Sequence, residues 1–172
     1  MSSLNKNIFY KIALLYLPTI LLFFSVFNEH DFNYLKIEYF SFNFAYILIF
    51  YWTLKNPNLL GYISIFLAGV INDVVTGLPM GVSSLSYLLI CSVTAYIRNI
   101  TLRPNFINDW ISFFFTILVI NSFQILILEF IFLSKLDFKI YFLNLGLTFI
   151  LYPLFFFIFN FINPKKIMKE ND

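Results

Sequence analysis

Between residues 59 and 97 the only charged side chain is Asp73, and this limits the fold more than any other feature of the chain. A helix or strand at the surface of a soluble domain keeps a polar face toward water, and a run this long and this apolar leaves no room for one. Crossing a bilayer takes roughly 20 apolar residues, so the run is too long for a single crossing. Near its middle, Thr76-Gly77-Leu78-Pro79-Met80-Gly81 supplies the Gly and Pro that end helices. The stretch reads as two spans, 59–75 and 82–97, joined by a tight turn.

Letting charged residues mark the ends of apolar runs gives four more spans, at 8–27, 39–54, 110–129 and 140–162. Lys11, inside the first, is placed to snorkel toward the interface. A cleaved signal peptide competes with that first span, because Lys6 and Lys11 precede an apolar stretch. Phe27-Asn28-Glu29 offers no small-residue cleavage site, however, and the reading is a retained anchor. Lys55-Asn56-Pro57-Asn58 reads as the turn after span two, and Arg98, Arg103-Pro104 and Asp109 read as the loop before span five. Six spans take up nearly all of the 172 residues, of which 60% are hydrophobic and 12% charged, against about 25% charged in soluble domains. The expected fold class is an all-α integral membrane protein, a single polytopic domain (1–172) bundling six transmembrane helices.

The distribution of Lys and Arg orients the bundle. With the N-terminus inside, the inner segments carry eight basic residues, Lys6, Lys11, Lys55, Arg98, Arg103, Lys165, Lys166 and Lys169, while Lys36, Lys135 and Lys139 are the three outside. That asymmetry follows the positive-inside rule and predicts both termini in the cytoplasm. Arg98, Arg103 and the C-terminal lysines are expected to meet anionic headgroups.

The net charge of +2 gives no dense basic face for nucleic acid. One cysteine, Cys91, inside an apolar run excludes an intrachain disulfide and a multi-cysteine metal site. The one histidine, His30, lies in an acidic loop and reads as a solvated surface residue. No Ser-His-Asp or Cys-His arrangement can be assembled, and the phosphate-loop and dinucleotide fingerprints are absent. The chain reads as a non-catalytic protein without a cofactor or metal.

An acid within a span costs a few kcal/mol on insertion scales and is a functional candidate by default. Asp73 shares a four-residue spacing with Gly69, Ile65 and Gly61 behind it and with Gly77 ahead. Small residues at that spacing let helix backbones approach closely in lipid, so span three is expected to pack centrally. Three roles remain open to Asp73: organising the 77–81 turn by accepting backbone N–H groups, moving a proton or ion, or touching a partner protein. A second polar set, Asn121, Gln124 and Glu129, falls on one face of span five. It reads as helix-to-helix hydrogen bonding or as the lining of a substrate path.

The stretch Gly69-Val-Ile-Asn-Asp73-Val-Val-Thr-Gly77-Leu-Pro79-Met-Gly81-Val-Ser-Ser-Leu85-Ser-Tyr87-Leu resembles the signature of the rod-shape-determining protein MreD family. There a span ends in Gly, a few residues and Asp, then turns through Gly-x-Pro-x-Gly into the next span. Asp73, Gly77, Pro79 and Gly81 match in place, as does the apolar Leu85, and chain length, six-span layout and the basic segment 98–103 agree. The match covers about 20 residues of the chain; the short span two and the polar loop after span one depart from the pattern.

The resemblance implies a scaffold subunit in the bacterial cytoplasmic (inner) membrane, part of the cell-elongation machinery that supports lateral peptidoglycan synthesis and rod shape. Its partner would be MreC, and through it the MreB filaments and the glycosyltransferase and transpeptidase pair. The residues implied in partner contact or turn formation are Gly69, Asp73, Gly77, Pro79 and Gly81. The family's fold is also similar to the substrate-binding membrane subunits of vitamin-type transporters. On that alternative, Asp73, Asn121, Gln124 and Glu129 would line an internal pocket.

Overall fold

The computed structural model describes residues 15–26, 42–101, 105–133 and 138–162, and within them every regular element is helical. Six helices follow in chain order: α1 (Leu15–Val26), α2 (Phe44–Lys55), α3 (Tyr62–Thr76), α4 (Val82–Ile100), α5 (Phe106–Leu126) and α6 (Phe138–Ile162). A short 3-10 turn, Pro57–Leu59, follows α2, and α5 continues into a π-helical segment, Ile127–Ile131. Two stretches are long and apolar enough to cross a membrane, Phe106–Ile131 and Tyr141–Ile162. His30, Arg103, Lys135 and the basic residues at either end of the chain lie outside the described residues.

Helix α2 is the post around which the others stand. It is apolar on all sides, and every residue from 45 to 53 is buried. Its aromatic side chains set the packing: Phe50 meets Phe113 of α5 at 5.0 Å and Tyr152 of α6 at 5.8 Å edge-on, and Tyr46 meets Tyr87 of α4 at 5.8 Å. Edge-to-face rings at these separations each add about 0.5–1.5 kcal/mol beyond the area they bury. Tyr46 also donates its hydroxyl to Gln124 Oε1 on α5 at 2.9 Å.

A buried helix must find partners for the backbone groups its ends leave open, and neighbouring helices supply them to α2. At its start, Thr148 of α6 accepts the Asn43 N–H at 3.0 Å. At its end, Arg98 of α4 donates to the Thr53 carbonyl at 3.0 Å. Lys55, in the last turn, pairs with Asp109 of α5 at 2.6 Å and lies 5.5 Å from the centre of the Phe156 ring. A cation at a helix C-terminus and an anion in the first turn of another both run with the helix dipoles.

These contacts correct three expectations. Lys55 and Asp109, expected in loops, belong to the last turn of α2 and the first turn of α5. Span boundaries shift with them: α4 runs on to Ile100 and α5 begins at Phe106. Arg98, expected to face headgroups, is turned inward onto α2 because a buried carbonyl at a helix end needs a donor more than a surface cation needs water.

Pro153 interrupts α6 without a compensating loss. Proline has no N–H for the carbonyl four residues back, here that of Phe149, and the Trp110 indole of α5 donates to it instead at 3.1 Å. The indole also stacks on the Phe149 ring at 5.0 Å.

Candidate functional site: the α3–α4 hairpin and the α5 polar face

Asp73 closes one helix and opens the next. Its backbone carbonyl accepts the N–H groups of Gly77 and Leu78, the latter at 3.0 Å, which ends α3. This is the wrapped C-terminus that a left-handed residue makes possible, and Gly77 supplies it at φ +69°. Four residues on, Gly81 sits at φ +100° as the residue before α4 and has no side chain with which to cap its own helix. The Asp73 carboxylate does so from across the turn: Oδ2 accepts the Gly81 N–H at 2.7 Å and Oδ1 the Ser83 N–H at 2.8 Å. A carboxylate at an N-terminus satisfies orphan donors and lies at the positive end of the dipole. Fully buried, with each oxygen held by a backbone donor, Asp73 is built as a tertiary cap.

The rest of the hairpin holds the two helices close enough for that cap to form. A Cβ placed on Gly69 would stand 2.4 Å from Ser84 Cα, so only glycine permits this crossing. Ser84 donates its hydroxyl to the Phe66 carbonyl at 3.1 Å, and Asn72 donates its amide to Ser83 Oγ at 3.0 Å. Pro79 takes part through its carbonyl, which accepts the Val82 N–H at 3.3 Å. Ile65, Gly69 and Asp73 share the buried side of α3 with Ala68 and Asn72. Gly61, expected on the same stripe, is instead the residue preceding α3, where an added Cβ would meet only Ser64 Oγ at 3.7 Å. Gly77 likewise has open space around it, so its use lies in its φ and not in packing.

Asn72, Ser83 and Ser84 are the members of this site that sequence reasoning missed. Their signal was present as three small polar residues flanking an apolar turn, in a setting where each must find a partner.

On α5 the structure brings two of the three expected residues together. Asn121 and Gln124 are both buried. Glu129 is not with them: it falls in the π-helical segment, where the wider turn changes the register, Leu128 takes the buried position and Glu129 is half-buried. Gln124 is engaged by Tyr46, whereas Asn121 faces a cleft between α5 and α6 that also takes in Phe114, Leu118 and Tyr141. Of the four residues expected to line a common pocket, Asn121 alone borders this cleft. Among the described residues no group of three or more His, Cys, Asp or Glu side chains comes together.

No protein-family model, no curated protein and no solved structure matches this chain.

Proposed function

We propose that this chain is a six-span integral membrane protein of the bacterial cytoplasmic membrane, both termini in the cytoplasm, acting as a non-catalytic scaffold of the cell-elongation machinery in the manner of MreD. Its binding partner on this reading is MreC, and through it MreB and the peptidoglycan synthase pair. The observation that carries the proposal is the Asp73 hairpin: the residues resembling the MreD signature form one self-consistent device, with Gly69 at the crossing, Gly77 and Gly81 at positive φ and Asp73 capping α4. A device of this kind fixes the angle and depth of two helices, which is what a docking surface for another membrane protein needs.

Membrane insertion is supported by the outer surface. Large apolar side chains stand exposed along α3, α5 and α6, among them Ile63, Phe115, Phe142 and Phe161, an outward apolar surface of the kind that marks contact with lipid or with another protein. Helix α2 is too short to reach across a hydrocarbon core of about 30 Å at 1.5 Å per residue. It fits within a bundle all the same, because the groups at its ends are satisfied by Thr148 and Arg98 and do not meet lipid.

The test is affinity purification of the tagged chain from crosslinked native membranes, with mass spectrometry of what accompanies it. MreC or cell-wall synthases are the expected companions; an ATPase with a membrane coupling subunit would replace this reading with the transporter one. Asp73→Ala leaves two buried N–H groups without an acceptor and should cost about 2–4 kcal/mol in hairpin stability, with severalfold less partner recovered from a chain that still inserts. Full recovery with Asp73→Ala would separate the hairpin from partner binding.

A further inference from the structure

The two ends of the α3–α4 hairpin are unlike. At the open end Tyr62 begins α3 and Tyr96 lies near the end of α4, 66% and 67% exposed. Asn58, shortly before α3, is exposed as well, and Arg98 lies in the last turn of α4. Exposed tyrosines among polar neighbours are the composition of a membrane–water boundary. The closed end has none of this. No charged residue occurs between Asp73 and Arg98, and Val74 and Met80 stand 60% and 77% exposed. The one polar side chain from 74 to 82, that of Thr76, donates its hydroxyl back to the Asn72 carbonyl at 2.7 Å.

The backbone of the closed end is turned inward in the same way. Pro79 has no N–H, and of the six such groups from 77 to 83, five have acceptors inside the hairpin. Those of Gly77 and Leu78 bond the Asp73 carbonyl, that of Val82 the Pro79 carbonyl, and those of Gly81 and Ser83 the Asp73 carboxylate. A turn in water has no need of such provision, because water takes up helix-end donors without the cost of a carboxylate in an apolar span. A turn in hydrocarbon does need it.

Length points the same way. With 15 residues in α3 and 19 in α4, the two arms reach about 22 Å and about 28 Å at 1.5 Å per residue, and any tilt shortens that reach. The hydrocarbon layer is about 30 Å thick. With the open end held at one boundary by Tyr62 and Tyr96, the closed end stops short of the other.

We propose that the turn from Gly77 to Gly81 ends inside the outer leaflet, surrounded by lipid acyl chains and not by water. This rests on the membrane reading above and deepens it. Asp73 caps α4 because no water is there to do so, and whatever contacts the turn approaches it from within the bilayer, not as a soluble domain on the outer side.

Site-directed spin labelling tests this on the full chain in vesicles of phosphatidylethanolamine and phosphatidylglycerol. Cys91→Ser removes the one native cysteine. A nitroxide is then attached at Met80→Cys, at Asn58→Cys or at Phe115→Cys, the last a 60% exposed position midway along α5. Collision rates with oxygen, which concentrates in hydrocarbon, and with a neutral nickel chelate, which stays in water, report the depth of each label. The oxygen-to-nickel ratio at Met80 should exceed that at Asn58 severalfold and approach that at Phe115. Because Met80 points away from the packed core, the label leaves the turn intact. A ratio at Met80 equal to that at Asn58, with Phe115 protected, would put the turn in water and overturn the proposal while the membrane reading stands. Free nickel access at all three positions, Phe115 included, would overturn both.

Discussion

Helices α2 and α6 draw on almost the same residues, Phe, Tyr, Ile and Leu with a few small polar interruptions, and they end in opposite environments. In α2, 12 residues long, no side chain from 45 to 53 reaches the surface. In α6, 25 residues long, the apolar stretch is 22% buried, and Phe142, Ile150, Leu154, Phe157 and Phe161 all point outward. Hydropathy separates both from water and does not separate one from the other. What does is length and the treatment of the ends: α2 stops short and its terminal groups are taken up by Thr148, Arg98 and the Lys55–Asp109 pair, whereas α6 is long enough to carry its own ends beyond an apolar layer. A short, wholly apolar helix with polar partners waiting at each end is a core element; a long one is a boundary.

The largest effect expected from that comparison comes from making one truncation in both helices. Phe50→Ala empties a site bounded by Phe113 and Tyr152 and should cost about 3–5 kcal/mol. Phe161→Ala, at a residue 85% exposed, should cost less than about 0.5 kcal/mol. Denaturation of the two variants in one detergent reads the difference directly. Equal losses would mean that the outward face of α6 is packed against protein, and the distinction drawn here would collapse.

Next in size is the ion pair at the end of α2. Asp109 is nearly sealed, with a side chain 4% exposed, and Lys55 is a quarter exposed. Lys55→Met leaves an uncompensated carboxylate and should cost roughly 2–4 kcal/mol, since removing one member of a largely buried pair is worse than removing both. Adding Asp109→Leu should therefore recover most of the loss. A double variant no more stable than Lys55→Met would show that the pair contributes through its attraction and not through the cost of an unpaired acid.

The hairpin was largely legible in advance and this pair was not, for a physical reason. Asp73, Gly77, Pro79 and Gly81 act within eight residues of one another, so turn chemistry and helix periodicity place them without knowledge of the rest of the fold. Lys55 and Asp109 are separated by 54 positions, and a charge at the end of an apolar run looks the same whether it meets water, a headgroup or a buried acid. The six helices were legible from apolar runs, but the burial of α2 on every side was not, because a helix that is apolar all round carries no amphipathic stripe to orient it. Glu129 was misplaced for a related reason: counting in fours assumes an unbroken α-helix, and the π-helical segment at Ile127–Ile131 breaks the count.

The smallest effect tests how α6 stays continuous while facing outward. Trp110→Phe keeps the stacking surface on Phe149 and deletes the indole N–H, leaving the Phe149 carbonyl without a donor because Pro153 cannot provide one. About 0.5–1.5 kcal/mol should be lost. Pro153→Ala restores the ordinary helical N–H to that carbonyl, so in the Pro153→Ala background the Trp110→Phe change should cost almost nothing, and the two substitutions should be clearly non-additive in a double-mutant cycle. Additive losses would mean that the indole stabilises α6 by stacking alone. In that case the proline would be a true break in the boundary helix and not one that α5 repairs.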